Sequence, residues 1–149
     1  MQRERKYWAV IPAAGVGKRM KAARPKQYLM LAGRTVLEQT IACFAHHPRI
    51  AGIVIIVSEG DPYWAGLQID CPLPLYVAEG GIERCHSVLN GLQRLQQYAD
   101  ESDWVLVHDA ARPCLRRGDI DQLIAELSED EVGGILAVPV RDTMKRDDG

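Results

Sequence analysis

Five cationic side chains, Lys18, Arg19, Lys21, Arg24 and Lys26, fall within nine residues near the start of this sequence. No Asp or Glu stands between Lys6 and Glu38. Just ahead of the cations runs Pro12-Ala13-Ala14-Gly15-Val16-Gly17. Small residues let the backbone approach a ligand closely, and glycines reach positive φ, so successive N–H groups can aim at an anion. A small-residue turn followed by cations therefore reads as a phosphate loop. A solvated basic loop without ligand would share the charges but has no use for the turn.

Two other phosphate loops are excluded by residue type. A Walker A loop needs glycine where Pro12 stands and Ser or Thr where Arg19 follows Lys18. A dinucleotide fingerprint needs a third glycine where Met20 stands, and an acidic residue at the end of the second strand. The nearest candidate acid, Glu38, falls inside a helical pattern, so a plain NAD-binding domain is disfavoured.

Two more segments gather chemistry: Gly80 to Ser87, and His108-Asp109-Ala110-Ala111-Arg112-Pro113. A carboxylate facing a triphosphate makes sense with a divalent cation, and magnesium takes oxygen ligands and bridges phosphates, so Asp109 is the metal candidate. Asp109 could instead cap the following turn. Arg112 has the planar fork that suits a phosphate, or could bond loop carbonyls. His108 has no partner histidine nearby in sequence and reads as a structural residue satisfying hydrogen bonds.

The elements that would position these segments alternate. Trp8-Ala9-Val10-Ile11 predicts a buried strand ending at Pro12. Residues 35–46 predict a helix, with Thr35 and Glu38 as a capping box and Val36, Leu37, Ile41, Phe44 and Ala45 on one face. Ile53-Val54-Ile55-Ile56-Val57 is β-branched without polar alternation, as in a strand covered on both faces. Leu75–Val77 is a weaker strand, and residues 87–99 carry helical spacing at Val88, Leu92, Leu95 and Ala99. Trp104–Val107 is another strand, Ile120, Leu123, Ile124 and Leu127 mark a helix, and Gly134–Val138 reads as a last strand. Residues 61–74 read as an irregular surface connection.

This order implies an α/β fold with a Rossmann-like, mostly parallel sheet flanked by helices. Ligands of such sheets bind at the carboxyl ends of the strands. Pro12 to Lys26, Gly80 to Ser87 and His108 to Pro113 all fall there, which predicts one shared site.

The 149 residues suit one domain, and their 26% charged and 47% hydrophobic content is ordinary for a globular protein. A net charge of -2 gives no global attraction to nucleic acid or an anionic membrane. No apolar run reaches the length of a membrane span, and the start lacks a signal-peptide pattern, which predicts a cytoplasmic protein. Cys43, Cys71, Cys85 and Cys114 contain no CxxC pair, and are expected to be reduced, mostly buried thiols.

Pro12-Ala13-Ala14-Gly15-x-Gly17-x-Arg19-Met20 followed by Pro25-Lys26-Gln27-Tyr28 resembles the signature of the 2-C-methyl-D-erythritol 4-phosphate cytidylyltransferases. So do Gly80-Gly81-x-Glu83-Arg84-x-x-Ser87-Val88, Val107 to Pro113, and Pro139-Val140-x-Asp142-Thr143-Met144-Lys145. The first element is shared among many sugar-phosphate nucleotidyltransferases, whereas the last two are more specific. The resemblance implies transfer of CMP from CTP to methylerythritol phosphate, with magnesium and release of pyrophosphate, in the non-mevalonate route to isoprenoids.

It further implies that Arg19 and Lys26 stabilise charge on the α-phosphate and are the catalytic residues. Pro12, Ala13, Ala14, Gly15, Gly17, Gly81, Arg84, Ser87, Asp109 and Ala110 would join them around the nucleotide, with the Ala13-Ala14-Gly15 backbone, Gly81 and Ser87 at the cytidine. Asp109 would lie near magnesium, and Asp109, Arg112 and Thr143 at the acceptor. Ile82 stands where some relatives carry an aspartate. Family members are longer, so the resemblance implies that this chain holds the CTP half and only part of an extended arm through which two subunits pair. Two alternatives stay open: a CTP enzyme acting on ribitol 5-phosphate, and an inactive CTP-binding fragment.

Overall fold

The computed structural model describes residues 4–15 and 24–141. Gly17, Lys18, Arg19, Lys21 and Thr143 lie outside the described residues. The chain divides into two units, Met1–Arg117 and Gly118–Gly149.

The first unit is built on four parallel strands. They are β1 (Tyr7–Pro12), β4 (Ile50–Val57), β5 (Leu75–Glu79) and β6 (Trp104–Val107), in the spatial order β5-β4-β1-β6. Ala9, Val10, Ile11 and Ile53 to Ile56 are fully buried, as expected of β-branched runs covered on both faces. Trp8, Val10, Val54, Ile56, Ala78 and Leu95 form the core on one face. Helix α2 (Arg84–Leu95) covers that face, crossing β5, β4 and β1. At Gly91 it lies so close that an added Cβ would stand 2.8 Å from Ile56 Cδ1. Helix α1 (Val36–Ala45) packs on β4 with Leu37, Ile41 and Phe44 buried. The sheet is thus parallel and flanked by helices, as the alternating pattern predicts.

Helix α1 starts where the capping box places it. The Thr35 hydroxyl accepts from the Glu38 N–H (3.2 Å), and the Glu38 carboxylate accepts from the Thr35 N–H (2.7 Å). Those bonds hold the Glu38 pKa below its usual value against the opposing effect of burial, which is the largest single contribution. Helix α2 begins three residues earlier than the apolar spacing suggests and ends at Leu95. A small hairpin absent from the sequence reading, β2 (Met30–Leu31) with β3 (Arg34–Thr35), turns through Ala32 and Gly33 at φ 49° and 84°.

The order of the strands fixes where a site can form. The chain moves outward from β1 to β4 and β5, then returns to place β6 on the far side of β1. The direction reverses at β1, so the loops leaving β1 and β6 open a crevice at the carboxyl end of the sheet.

Helix α3 (Arg117–Leu127) lies in the second unit from Gly118 on and buries Ile120 and Ile124, two of the four apolar positions read as its inner face, with Leu123 and Leu127 half-buried. The chain then turns on Asp130, whose carboxylate accepts from the Val132 and Gly133 N–H groups (2.8 Å each). Gly134 passes against the Leu127 side chain. The strand expected at Gly134–Val138 is not formed. Ile135 and Val138 are each 86% exposed. An apolar run becomes a strand only when a neighbouring edge takes up its backbone groups, and no described residue does so here.

The thiols also differ from expectation. All four cysteines are free, but Cys85 and Cys114 are exposed and Cys43 and Cys71 only half-buried. Two of the four lie in the loops and first turns around the carboxyl end of the sheet, where no core covers them. Among the described residues no helix is long and apolar enough to cross a membrane.

Candidate active site

β1 ends at Pro12, paired with Ile56 of β4. The ladder continues one residue further, where the Ala13 N–H donates to the Ile56 carbonyl (2.7 Å). Beyond it, side chains rather than backbone accept the task of holding the loop. Gln27 sits in a 3-10 turn, Lys26–Tyr28, and is only 4% exposed. Its Nε2 donates to the carbonyls of Ala13 (2.7 Å) and Gly15 (2.9 Å). Ser58, the first residue after β4, donates through Oγ to the Ala14 carbonyl (2.9 Å). Lys26, beside Gln27, is exposed. Tyr28 anchors the same turn: it is buried, meets the Tyr63 ring tilted at 33° with centroids 5.1 Å apart, and donates to Asp61 (2.7 Å). Burial, then the Asp61 contact, pushes the Tyr28 phenol above its ordinary pKa, so it stays a donor.

The loop after β5 closes on the loop after β1. The Gly80 N–H donates to the Val57 carbonyl (2.7 Å), and a Cβ on Gly80 would overlap the Ala14 Cβ. The Gly81 N–H donates to Ser87 Oγ (3.0 Å), while a Cβ on Gly81 would overlap the His86 Cβ. Ser87 is buried in the first turn of α2, where its hydroxyl also lies 3.3 Å from the Glu83 carbonyl. Ile82, at the turn between Gly81 and Glu83, is 97% exposed.

The loop after β6 is held by ions. The His108 N–H donates to the Val10 carbonyl (3.0 Å), continuing the sheet. The Asp109 carboxylate then accepts from Arg84 Nη2 (2.8 Å) on one oxygen and from Arg112 Nε (2.9 Å) on the other. Its side chain is 35% exposed. Partial burial pushes the Asp109 pKa up. The Arg84 hydrogen bond and the positive charges of Arg84, Arg112 and His108 outweigh that and hold it below the usual range. His108 Nε2 lies 2.9 Å from the Arg112 carbonyl and its ring meets Phe44 edge-on at 5.4 Å. That engagement is what a structural histidine makes. Ala110 is buried, and its carbonyl accepts from Thr40 Oγ1 of α1 (2.9 Å).

The structure therefore brings Ala14 against Gly80, and Gly81 against Ser87. Arg84 and Arg112 it brings onto Asp109. Gly17, Arg19 and Thr143 lie outside the described residues. Gln27, Ser58 and Thr40 hold these loops and were assigned no role from the sequence. Gln27 lies within Pro25-Lys26-Gln27-Tyr28, and Ser58 is the first hydroxyl after the strongest strand. Those were the available signals. For a cation, each Asp109 oxygen keeps a lone pair beyond its guanidinium contact, which suits a hard ion that needs few protein ligands. Glu83, Cys85 and His86 also cluster, all exposed, and His86 Nδ1 already faces the Glu83 N–H at 3.3 Å.

Comparison with known proteins adds the identity of the fold. Residues 7–149 match the family described as 2-C-methyl-D-erythritol 4-phosphate cytidylyltransferase. A relative of that name from Pseudomonas aeruginosa is 62% identical over 145 residues, covering 95% of this chain and 61% of its own length. One from Pseudomonas putida is 59% identical over 144 residues, with 96% and 61% covered. The crystal structure of a 4-diphosphocytidyl-2C-methyl-D-erythritol synthase superposes with a TM-score of 0.80 at 37% identity, covering 97% of this chain and 64% of that one. The Francisella tularensis 2-C-methyl-D-erythritol 4-phosphate cytidylyltransferase gives 0.77 at 32% identity, covering 95% and 61%. The chain thus spans about three fifths of the length of the relatives it matches. On that family match and those identities, the chain belongs to the 2-C-methyl-D-erythritol 4-phosphate cytidylyltransferase family.

Proposed function

We propose that this chain is the CTP-binding part of an enzyme that transfers CMP from CTP to 2-C-methyl-D-erythritol 4-phosphate and releases pyrophosphate. The observation that carries the reading is the contact of Ala14 with Gly80. It joins the small-residue loop after β1 to the Gly81–Ser87 turn, so a triphosphate and its base can be gripped from adjoining loops at one end of the sheet.

The acceptor is a phosphate monoester, whose second pKa of about 6 leaves it mostly dianionic at neutral pH. It needs no general base. An acceptor oxygen forms a bond to the α-phosphorus, the bond from that phosphorus to the bridging oxygen breaks, and pyrophosphate leaves. The barrier is the meeting of anions, so positioned cations and N–H groups carry the catalysis. Arg19 and Lys26 take that role. The backbone of Pro12 to Gly17, with Gly81, Arg84, Ser87 and Ala110, holds the nucleotide. Arg112 and Thr143 position the acceptor. Asp109 would hold magnesium, which when bound supplies charge neutralisation on the triphosphate. In the same reading the whole protein is cytoplasmic and pairs as a homodimer, and the exposed Val132, Ile135, Val138 and Val140 belong to the pairing arm.

Calorimetric titration of this chain with CTP and with GTP tests the nucleotide half. CTP is expected to bind the more tightly. Pyrophosphate release by the whole protein, with methylerythritol phosphate beside ribitol 5-phosphate as acceptor, tests the rest. Equal affinity for CTP and GTP, or faster release with ribitol 5-phosphate, would overturn it.

A further inference from the structure

The segment after β4 meets the turn that carries Lys26 on both sides of that residue. Asp61 accepts from the Tyr28 hydroxyl on one carboxylate oxygen (2.7 Å). Its other oxygen accepts from the Tyr63 and Trp64 N–H groups (2.9 and 3.2 Å), and the Asp61 N–H donates to the Ser58 carbonyl (3.2 Å). The carboxylate is thus itself held, close to the end of β4. Tyr63 sets its ring against Tyr28, and the Arg24 guanidinium lies over the same Tyr63 ring, 5.7 Å from its centroid. Arg24 and Tyr28 stand two residues before and two after Lys26. The turn between them closes on two backbone bonds, Tyr28 N–H to the Pro25 carbonyl and Leu29 N–H to the Lys26 carbonyl. In a 3-10 turn successive side chains diverge by about 120°. With Gln27 and Tyr28 buried, the third direction, that of Lys26, opens to solvent. So short a turn has little rigidity of its own, and its side-chain contacts set its orientation.

We propose that Asp61, acting through Tyr28, is a positioning residue for Lys26: it braces the turn so that the ammonium is set for the charge that builds on the α-phosphate. The inference rests on the proposed function for the role of Lys26. It goes beyond that reading in giving the connection between β4 and β5 a part in the reaction. A lysine side chain has a flexible four-carbon stem, so its charge is placed well only where its backbone is fixed. The brace can be dissected by chemistry. Tyr28→Phe keeps the ring and removes the hydroxyl. Asp61→Ala removes the acceptor. Asp61→Asn keeps an oxygen for the Tyr63 and Trp64 N–H groups, and its amide can donate to the Tyr28 hydroxyl, which is both donor and acceptor.

The test is the rate of pyrophosphate release by the whole protein and its variants across a range of CTP concentrations. Tyr28→Phe and Asp61→Ala are each expected to lower kcat about tenfold, the size of one lost hydrogen bond to a charged group, with KM for CTP changed by less than about twofold. Asp61→Asn should keep wild-type turnover. On a Lys26→Ala background neither Tyr28→Phe nor Asp61→Ala should cost anything further, because the group they position is gone. Hydrogen exchange of the Tyr28 and Leu29 amides, whose bonds close the turn, reads the brace without the reaction. It should quicken about tenfold in Tyr28→Phe and Asp61→Ala, while the amides of β4 exchange as in the wild type. Unchanged kcat in Asp61→Ala would overturn the proposal, as would a further loss on the Lys26→Ala background, which marks a merely structural role. Asp61 lies on a surface connection, so its variants decide the matter even if Tyr28→Phe fails to fold. A wild-type protein that releases no pyrophosphate from CTP would sink the cytidylyltransferase reading and the catalytic half of this one. Unchanged exchange in Asp61→Ala would sink the brace itself.

Discussion

The loop after β1 and the loop after β6 leave the same end of one sheet, from neighbouring strands, and are held by different forces. The first is fixed by neutral bonds from Gln27 and Ser58 to its carbonyls and by the steric contact of Gly80 with Ala14. The second is fixed at its tip by Arg84, Asp109 and Arg112, charge on charge at a partly exposed position. Neutral buried bonds do not titrate and are little screened, whereas exposed ion pairs feel both pH and salt. The proposed polyanion site would gain from this division. Its donors stay put, while its ions can exchange partners when phosphate or a cation comes in.

The largest expected effect tests whether the first loop works on the reaction through charge as well as shape. Lys26 is exposed beside Gln27, so its loss should leave the fold intact. Lys26→Ala is expected to raise the barrier by about 3–4 kcal/mol, the usual consequence of deleting one transition-state donor. Pyrophosphate release by the whole protein at saturating CTP measures it, and near-wild-type turnover would strike Lys26 from the catalytic role. Arg19→Ala carries the same expectation. Next in size is Gly80→Ala, because its Cβ would overlap that of Ala14. Overpacking of this kind costs about 1–3 kcal/mol. It should appear as a loss of CTP affinity larger than the change in thermal stability. If CTP binds as before, the loop yields easily and the contrast between a rigid and an adaptable loop is lost.

What could be seen in the sequence follows the same contrast. Local patterns were legible: the β-branched strands, the Thr35–Glu38 box, and the three chemistry-bearing segments at strand ends. Each depends on neighbours within a few residues. Gln27 and Ser58 were not legible as clamps, since a glutamine fourteen residues downstream and a serine from another strand meet the loop only after the sheet assembles. The Ala32-Gly33 turn was missed because alanine at positive φ goes against its own preference and gives no signal. Gly134–Val138 was misread for the opposite reason. Its residues suit a strand, but strand formation is decided by an available edge, which composition does not reveal.

The β6 loop also has one neutral anchor, and removing it sharpens the comparison. Thr40 is fully buried, and its hydroxyl lies 2.9 Å from both the Val36 and the Ala110 carbonyls. One hydroxyl proton serves one acceptor at a time, and the Val36 carbonyl is within the helix. Thr40→Val keeps the shape and leaves the Ala110 carbonyl without that donor. A destabilisation of about 1–2 kcal/mol is expected in urea unfolding, from an unsatisfied buried acceptor. A change near zero would mean that the ions alone position this loop.

The smallest effect is the one that isolates those ions. Asp109 has a folded-state pKa below its ordinary value, set by Arg84, Arg112 and His108 against the upward push of burial. A depressed carboxylate contributes stability that is fully present above its unfolded pKa, about 3.9. That contribution is lost as the pH falls through the lower folded value. The part of the stability difference between the wild type and Asp109→Asn that comes from the carboxylate's own ionisation should therefore close only below about pH 4. Because the cluster is partly exposed, the difference should stay within about 1 kcal/mol and shrink further in high salt. Ser58→Ala, run through the same urea series, should show no such acid limb, since nothing in its bond titrates. A parallel acid loss in both variants would mean that the ions reach into the β1 loop as well, and that the two loops are not held separately.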